Sequence, residues 1–195
     1  MHPPRVALLP GSTRAASVNR RLAASLVAPF AALGIEAELI DLAEFPLPLY
    51  HGDHEATHGA PDAAVALHGR LAGCAGLVIV SPEYNGGPSP LLKNAIDWVT
   101  RVDRAVFRRL VIGLAAASPG SRGGIGGLAV LRRICEHMRL DVVPVDLSIA
   151  TAGDAFEPTL DGWALCRADD RHAAAAFVAA FADRLGEQAA AAESA

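Results

Sequence analysis

The feature that most limits what this chain can fold into is a repeated alternation of short apolar runs with helical patterns. Val6–Leu9 is a compact apolar run that stops at Pro10-Gly11, so Arg5–Pro10 reads as a buried strand. From Ser17 to Leu33 the spacing changes to that of one helix face, with Leu22, Leu26, Phe30 and Leu33, and Gly34 stands where a C-cap belongs. Pro29 inside this stretch predicts a kink. Glu36–Asp41 alternates as a second strand. Phe45–Pro61 is rich in Pro, Gly, Asp and His and reads as a loop. A helix over Asp62–Gly73 follows, then a third strand, Leu77–Val80, apolar enough to be buried on both faces. Ser89–Arg101 is the clearest helix: Ser89 can cap it, Pro90 suits its first turn, and Leu92, Ala95, Ile96 and Val99 recur at helical spacing. Leu110–Ala117, Gly123–Arg139, Val142–Ile149 and Asp169–Leu185 continue as strand, helix, strand and helix.

Strand and helix in turn predict an α/β fold, a doubly wound, five-stranded parallel sheet with helices on both faces. One domain is expected over residues 1–186, with 187–195 as a disordered tail. A length of 195 residues suits a single core. Ligands in such sheets bind beyond the carboxyl ends of the strands, so the loops after strands one, three and four matter most.

Composition narrows the function. The net charge is −4 and no basic footprint is visible, which argues against nucleic acid as a partner. Hydrophobic residues make up 52%, much of it alanine, and no run approaches the ~20 apolar residues of a spanning helix, so no membrane association is expected. The first residues show no signal-peptide pattern. Cys74, Cys135 and Cys166 are odd in number and form no CxxC pair, which fits a reducing, cytoplasmic setting.

Three loops can carry chemistry. Gly11–Asn19 joins the first strand to a helix N-terminus, where free N–H groups and the helix dipole favour a phosphate. Ser12, Thr13 and Ser17 add hydroxyls, Asn19 an amide and Arg14 a charged fork. The plain alternative is that Ser17 only caps the helix and Arg14 is a solvated charge. The loop has neither G-x-G-x-x-G nor G-x-x-x-x-G-K-[ST], so a single phosphate monoester fits it better than a dinucleotide or a triphosphate. The second loop, Ser81–Pro90, has a Pro and Gly density that fixes its path. Gly86 and Gly87 would let a planar ring approach the backbone, with Tyr84 as an aromatic wall, unless the segment is an ordinary strand-to-helix connection. The third, Ser118–Gly124, contains Ser118, Gly120 and Gly123 and would close on the ring's other edge, unless it is only a flexible turn. His51, His54 and His58 are spaced as a helical metal chelate would be, but Gly52, Asp53 and Gly59 argue against a helix there. They read as exposed loop histidines, and no metal is expected.

The residues of these loops resemble the NADPH-dependent FMN reductases, a flavodoxin-like family that includes chromate, quinone and azo-dye reductases. The resemblance rests on Gly11-Ser12-Thr13-Arg14 with Ser17 and Asn19, and on Pro82-Glu83-Tyr84-Asn85-Gly86 through Leu92-Lys93-Asn94-Ala95-Ile96-Asp97-Trp98. Pro46–Tyr50 and Ser118–Gly124 add to it, and it spans about Val6–Val145. It implies a flavodoxin-like sheet of order 2-1-3-4-5. It also implies FMN held by its phosphate at Ser12, Arg14, Ser17 and Asn19, with the ring at Pro82–Gly86 and along Ser118, Gly120 and Gly123. NADPH or NADH would deliver hydride to the flavin, and electrons would pass to a small-molecule acceptor: a quinone, azo compound, metal oxyanion or free flavin. No side chain of the protein is then required as a nucleophile or base. A homodimer or homotetramer is implied, with the Ser89–Arg101 helix in the contact, and Glu83 is first a loop-fixing or subunit-contact residue. The competing reading is a flavodoxin-type electron carrier that does not itself oxidise NAD(P)H.

Overall fold

The computed structural model describes residues 3–160 and 162–194. In chain order it contains β1 (Arg5–Pro10), α1 (Val18–Ser25), α2 (Val27–Ala32), β2 (Glu36–Leu39), α3 (Gly52–His58), α4 (Asp62–Ala72) and β3 (Gly76–Val80). Then follow β4 (Glu83–Tyr84), β5 (Gly87–Pro88), α5 (Pro90–Val102), β6 (Val111–Ala117), α6 (Ile125–His137), β7 (Asp141–Val142), β8 (Leu147–Ile149), β9 (Phe156–Thr159), β10 (Gly162–Leu165) and α7 (Ala168–Glu193). The main sheet runs β2-β1-β3-β6, and both β7 and β8 lie along the outer edge of β6; every pairing in it is parallel. This is the expected flavodoxin-like order, with β7 and β8 together occupying the fifth position.

The strands alternate between two cores. Val6, Leu8, Val78 and Val80 face α1, α2 and α7, where Leu22, Leu26, Phe30, Phe177 and Phe181 are buried. Ala7, Leu9, Leu77 and Ile79 face α4, α5 and α6, where Leu67, Leu71, Leu92, Ile96, Val99 and Leu131 are buried. Helices on both sides explain why β3 and β6 are buried at every position. Two strand glycines make room on the first face. A Cβ on Gly113 would stand 2.7 Å from Phe177 and 2.9 Å from Phe181, and one on Gly76 2.6 Å from Phe181. Phe181 also meets Phe30 edge to face at 5.4 Å.

Several elements depart from the sequence expectation. The Ser17–Leu33 helix is two helices broken at Leu26. Pro29 has no N–H to give to Ser25 and its ring crowds that carbonyl, so the break falls one turn upstream of it. The fifth strand is interrupted between Val142 and Leu147, where Pro144 removes a ladder donor and Arg132 bonds the Val143 carbonyl instead. The Phe45–Pro61 loop contains α3, against the expectation that its glycines forbid a helix. The His51 imidazole caps it by accepting from the Asp53 N–H at 3.2 Å, Asp53 and Glu55 complement the dipole, and Gly59 ends it at φ 75°. Helix α7 does not stop at Leu185 but runs to Glu193, through an alanine-rich stretch of high helix propensity. Residue 195 of the expected tail lies outside the described residues. The antiparallel hairpin β9–β10 was not expected at all. It packs on α1, with the Arg21 guanidinium 4.3 Å from the Trp163 ring centroid.

The aromatic packing at Gly113 gives a direct test. Gly113→Ala forces Phe177 and Phe181 aside in a closed core and is expected to cost about 1–3 kcal/mol. Equilibrium denaturation measures it, and a variant as stable as the parent would show that α7 does not pack tightly on β6.

Candidate active site

The three expected loops meet at the carboxyl end of the sheet because β1, β3 and β6 are adjacent and parallel. The first two are locked together by one hydroxyl. Ser89 caps α5 by accepting from the Leu92 N–H at 3.2 Å, and it donates to the Gly11 carbonyl at 2.6 Å. The approach needs a glycine: a Cβ on Gly11 would lie 2.9 Å from Ser89 Oγ, 3.1 Å from Leu92 and 3.3 Å from Pro82.

In the first loop, Ser12, Ser17 and Asn19 are buried, whereas Thr13 and Arg14 are exposed. Ser17 caps α1 through the Arg20 N–H, as its plain reading held. Asn19 has a scaffold role. Its amide donates to the Ala117 carbonyl and accepts from the Ala117 N–H, both at 2.9 Å, and so ties α1 to the end of β6. One N–H of that amide remains for a ligand. Arg20, beside it, pairs with Asp41. Among the described residues nothing accepts from the Arg14 guanidinium, and the backbone N–H groups of Thr13, Ala15 and Ala16 have no backbone partner. The first-turn N–H groups of Val18 and Asn19 are orphan donors by helix geometry. Backbone N–H groups without a backbone partner, a helix N-terminus and, among the described residues, an unpaired Arg14 thus belong to one short loop, and together they are the kind of donor set a phosphate monoester requires.

The second loop is a hairpin. Strands β4 and β5 pair across Asn85-Gly86, at φ 53° and 78°, the backbone of a type I′ turn. An Asn-Gly pair between two short extended segments is the sequence signal for this turn, and it is more specific than the Pro and Gly density of Ser81–Pro90. Tyr84, Asn85 and Gly86 are exposed at its tip, and a Cβ on Gly86 would meet nothing within 4 Å. Pro82 is buried against Gly11. Glu83 points away from the tip and accepts from the Gly127 N–H at 2.8 Å, in the first turn of α6. It is a loop-fixing residue, and its carboxylate satisfies the helix dipole. The glycines of α6 allow this, since a Cβ on Gly126 would stand 3.0 Å from Glu83 Oε1.

The third loop divides in the same way. Gly120 is exposed, and its N–H donates to Ser118 Oγ at 3.2 Å. Gly123, at φ 61°, is buried: its carbonyl accepts from Ser148, and a Cβ there would collide with that hydroxyl at 2.2 Å. The segment after β8 also borders the site, which the sequence reading did not foresee. Thr151 and Ala152 donate to the carbonyls of Gly120 and Ser118 at 3.0 and 2.9 Å, and Arg167 returns to the Ala150 carbonyl at 2.7 Å. Only the Thr-Ala-Gly-Asp turn composition of 151–154 marked it in advance.

The thiols of Cys74 and Cys135 are buried or half-buried away from these loops. Burial pushes Cys135 up to about 11 and raises Cys74, so neither is a thiolate at neutral pH. The histidines lie on α3, where the His54 and His58 rings stack at 4.6 Å. Among the described residues no group of three or more His, Cys, Asp or Glu is placed to hold a metal.

Comparison with known proteins agrees with this arrangement. The profile of the NADPH-dependent FMN reductase family matches residues 4–154. A 2-hydroxy-1,4-benzoquinone reductase from Burkholderia is 33% identical over 140 residues, covering 71% of this chain and 73% of the relative. A quinone reductase from Escherichia coli strain K12 is 35% identical over 148 residues, covering 74% and 72% respectively. Among solved structures, FerB, a flavoenzyme NAD(P)H:(acceptor) oxidoreductase from Paracoccus denitrificans, superposes with a TM-score of 0.77 at 26% identity, over 95% of this chain and 98% of its own. The family expected from the loop motifs thus coincides with the one its relatives define, an oxidoreductase family that uses FMN with NAD(P)H, and this chain belongs to the NADPH-dependent FMN reductases.

Proposed function

We propose that this chain takes hydride from NAD(P)H onto FMN held at the three carboxyl-end loops and reduces a quinone to the hydroquinone. The observation that carries the reading is the set of unpaired donors around Arg14 at the start of α1, beside a glycine-tipped hairpin and an exposed Gly120. FMN, when bound, supplies the hydride acceptance and the electron return that no side chain here can perform. Arg14, the Ser12 hydroxyl and the first-turn N–H groups of α1 would hold the phosphate, with Ser17 and Asn19 shaping the loop. Tyr84, Asn85 and Gly86 would border the ring on one side and Ser118–Gly124 on the other, where backbone N–H groups stabilise negative charge. Glu83, Pro82 and Gly123 would act by positioning these loops.

The balance is NAD(P)H, a proton and a quinone giving NAD(P)+ and a hydroquinone. The names of the two relatives above favour a quinone over an azo compound, a metal oxyanion or free flavin. The chain would work as one domain and assemble as a homodimer or homotetramer. Its free thiols fit the cytoplasmic setting expected from the sequence.

The decisive assay follows NADPH and NADH oxidation by the FMN-loaded protein with and without a benzoquinone. Quinone-dependent turnover with either nicotinamide is expected. Bound flavin that neither nicotinamide reduces would replace this reading with the electron-carrier one. Two variants test the site itself. Arg14→Ala removes a charge-assisted contact of about 1.5–3 kcal/mol, so FMN titration should find roughly ten- to hundredfold weaker binding at unchanged thermal midpoint. Parent-like affinity would take Arg14 out of the site. Gly120→Val places bulk on the exposed loop where the backbone needs no positive φ and a Cβ meets only Ser118 Oγ at 3.6 Å. The fold should tolerate it, and fluorescence titration should show at least about tenfold weaker FMN if the ring lies there; binding equal to that of the parent would place the ring elsewhere.

A further inference from the structure

Beyond residue 154, where the match to the family profile ends, one side chain still reaches back to the candidate site. Arg167, the residue before α7, turns onto the segment that follows β8. Its Nη2 donates to the Ala150 carbonyl at 2.7 Å, and its Nη1 donates to Thr151 Oγ1 at 2.9 Å and to the Thr151 carbonyl at 3.4 Å. Asp170, in the first turn of α7, accepts from Nε at 2.5 Å and so fixes the plane of the guanidinium. The far end of the same segment is held by the neighbouring residue. The Cys166 N–H donates to the Ala155 carbonyl and the Cys166 thiol to the Asp154 carbonyl, both at 3.0 Å. A planar fork of several donors can reach the Ala150, Thr151 and Asp170 acceptors together, whereas an ammonium is a single point charge.

The segment needs such a hold. Thr151 has φ 44°, a left-handed backbone that a β-branched residue rarely adopts. Strain of this kind persists only where the surroundings over-determine it, and Arg167 bonds the Thr151 side chain, its carbonyl and the carbonyl before it. On its other side the segment braces the third loop. The Thr151 N–H donates to the Gly120 carbonyl at 3.0 Å, the Ala152 N–H to the Ser118 carbonyl at 2.9 Å, and the Ser118 N–H to the Ile149 carbonyl at 3.0 Å. These bonds carry the β6–β8 pairing past the ends of the strands and fix the start of the loop. Just beyond them Ser121 and Arg122 are exposed, and their N–H groups have no backbone partner. A chain of contacts thus runs from α7 through Thr151 to two backbone donors at the carboxyl end of the sheet.

We infer that Arg167 is a positioning residue for the flavin: by holding Thr151 at its left-handed φ it sets the third loop, and with it the Ser121 and Arg122 N–H groups available to the negative charge of reduced FMN. The inference rests on the flavin reading above. Donors fixed before charge develops stabilise that charge without reorganising, so the contribution favours reduced FMN over oxidised FMN. Arg167 itself carries no hydride, electron or proton.

The test uses the full chain, flavin-free and FMN-loaded, as the parent, Arg167→Met, Arg167→Lys, and Arg167→Met combined with Thr151→Asn. Arg167 makes no side-chain cap to α7, so the fold should survive its replacement, and thermal midpoints check this. In the flavin-free protein, Arg167→Met is expected to speed amide exchange at Thr151 and Ala152 at least about tenfold, with the β6 amides unchanged. In the loaded protein, reduced FMN should be held at least about tenfold less tightly relative to oxidised FMN, which is a two-electron potential about 30 mV lower. Arg167→Lys should behave like Arg167→Met, because the charge alone does not replace the fork, and it carries both measurements if Arg167→Met does not fold. Asparagine accepts a left-handed φ. Thr151→Asn should therefore recover most of the parent's potential in the Arg167→Met background, which it could not do if Arg167 only stabilised α7. An Arg167→Met or Arg167→Lys protein with either the parent's exchange or the parent's potential would overturn the inference and leave the flavin reading standing, as would a double variant whose potential stays low. A parent that binds no FMN would overturn the flavin reading and this inference together.

Discussion

The hydroxyl of Ser89 holds the site together. It is the N-cap of α5 and, in the same geometry, the donor to the Gly11 carbonyl at 2.6 Å. A cap alone would fix the start of α5; the second bond fixes α5 and its preceding hairpin against the loop that begins α1. The buried position of this pair means that neither the Gly11 carbonyl nor the Leu92 N–H has water as an alternative partner, so losing the hydroxyl leaves both unsatisfied. The steric counterpart is Gly11, whose missing Cβ lets Ser89, Leu92 and Pro82 close over it.

The other polar side chains of the loops work in the same manner. Asn19 uses both ends of its amide on Ala117, and Glu83 spends a carboxylate oxygen on Gly127. Each bond crosses from one loop to the element behind a neighbouring loop: α1 to β6, the hairpin to α6, and α5 to the first loop. The three connections form a closed set of braces around the carboxyl end of the sheet. This explains why the motif residues include so few free side chains. Most of them hold backbone in place, and the groups left without a protein partner are backbone N–H donors, the Ser12 hydroxyl proton and Arg14.

The sheet was legible in the sequence because buried parallel strands leave an unmistakable apolar signature, and Val6–Leu9 and Leu77–Val80 carry it with little ambiguity. The face of each strand residue was not, since a strand buried on both sides has no alternation to read; the division of Val78 from Ile79 between two cores appears only once the helices are in place. Helix α3 was missed because its stability lies in capping and dipole terms at His51, Asp53 and Glu55, whereas composition points only to its glycines. That the three loops meet at one end of the sheet was legible through the strand–loop–helix pattern after Pro10, Val80 and Ala117. The division of labour among their residues was not, because whether Asn19 or Glu83 faces a ligand or the scaffold depends on which backbone group lies opposite, and Ala117 and Gly127 are 98 and 44 residues away.

Discrimination at a site built from backbone donors follows different rules from one built on side chains. A site built from N–H groups recognises anionic charge but has less means of rejecting one planar ligand in favour of another than a site lined by side chains. Tyr84 at the hairpin tip is exposed, and so is Arg14 on the first loop. In the single chain Tyr84, Asn85 and Gly86 are open to solvent. Under the reading proposed above, the braces leave backbone N–H groups, the Ser12 hydroxyl and Arg14 to hold the cofactor, and the exposed hairpin tip is where an acceptor would approach.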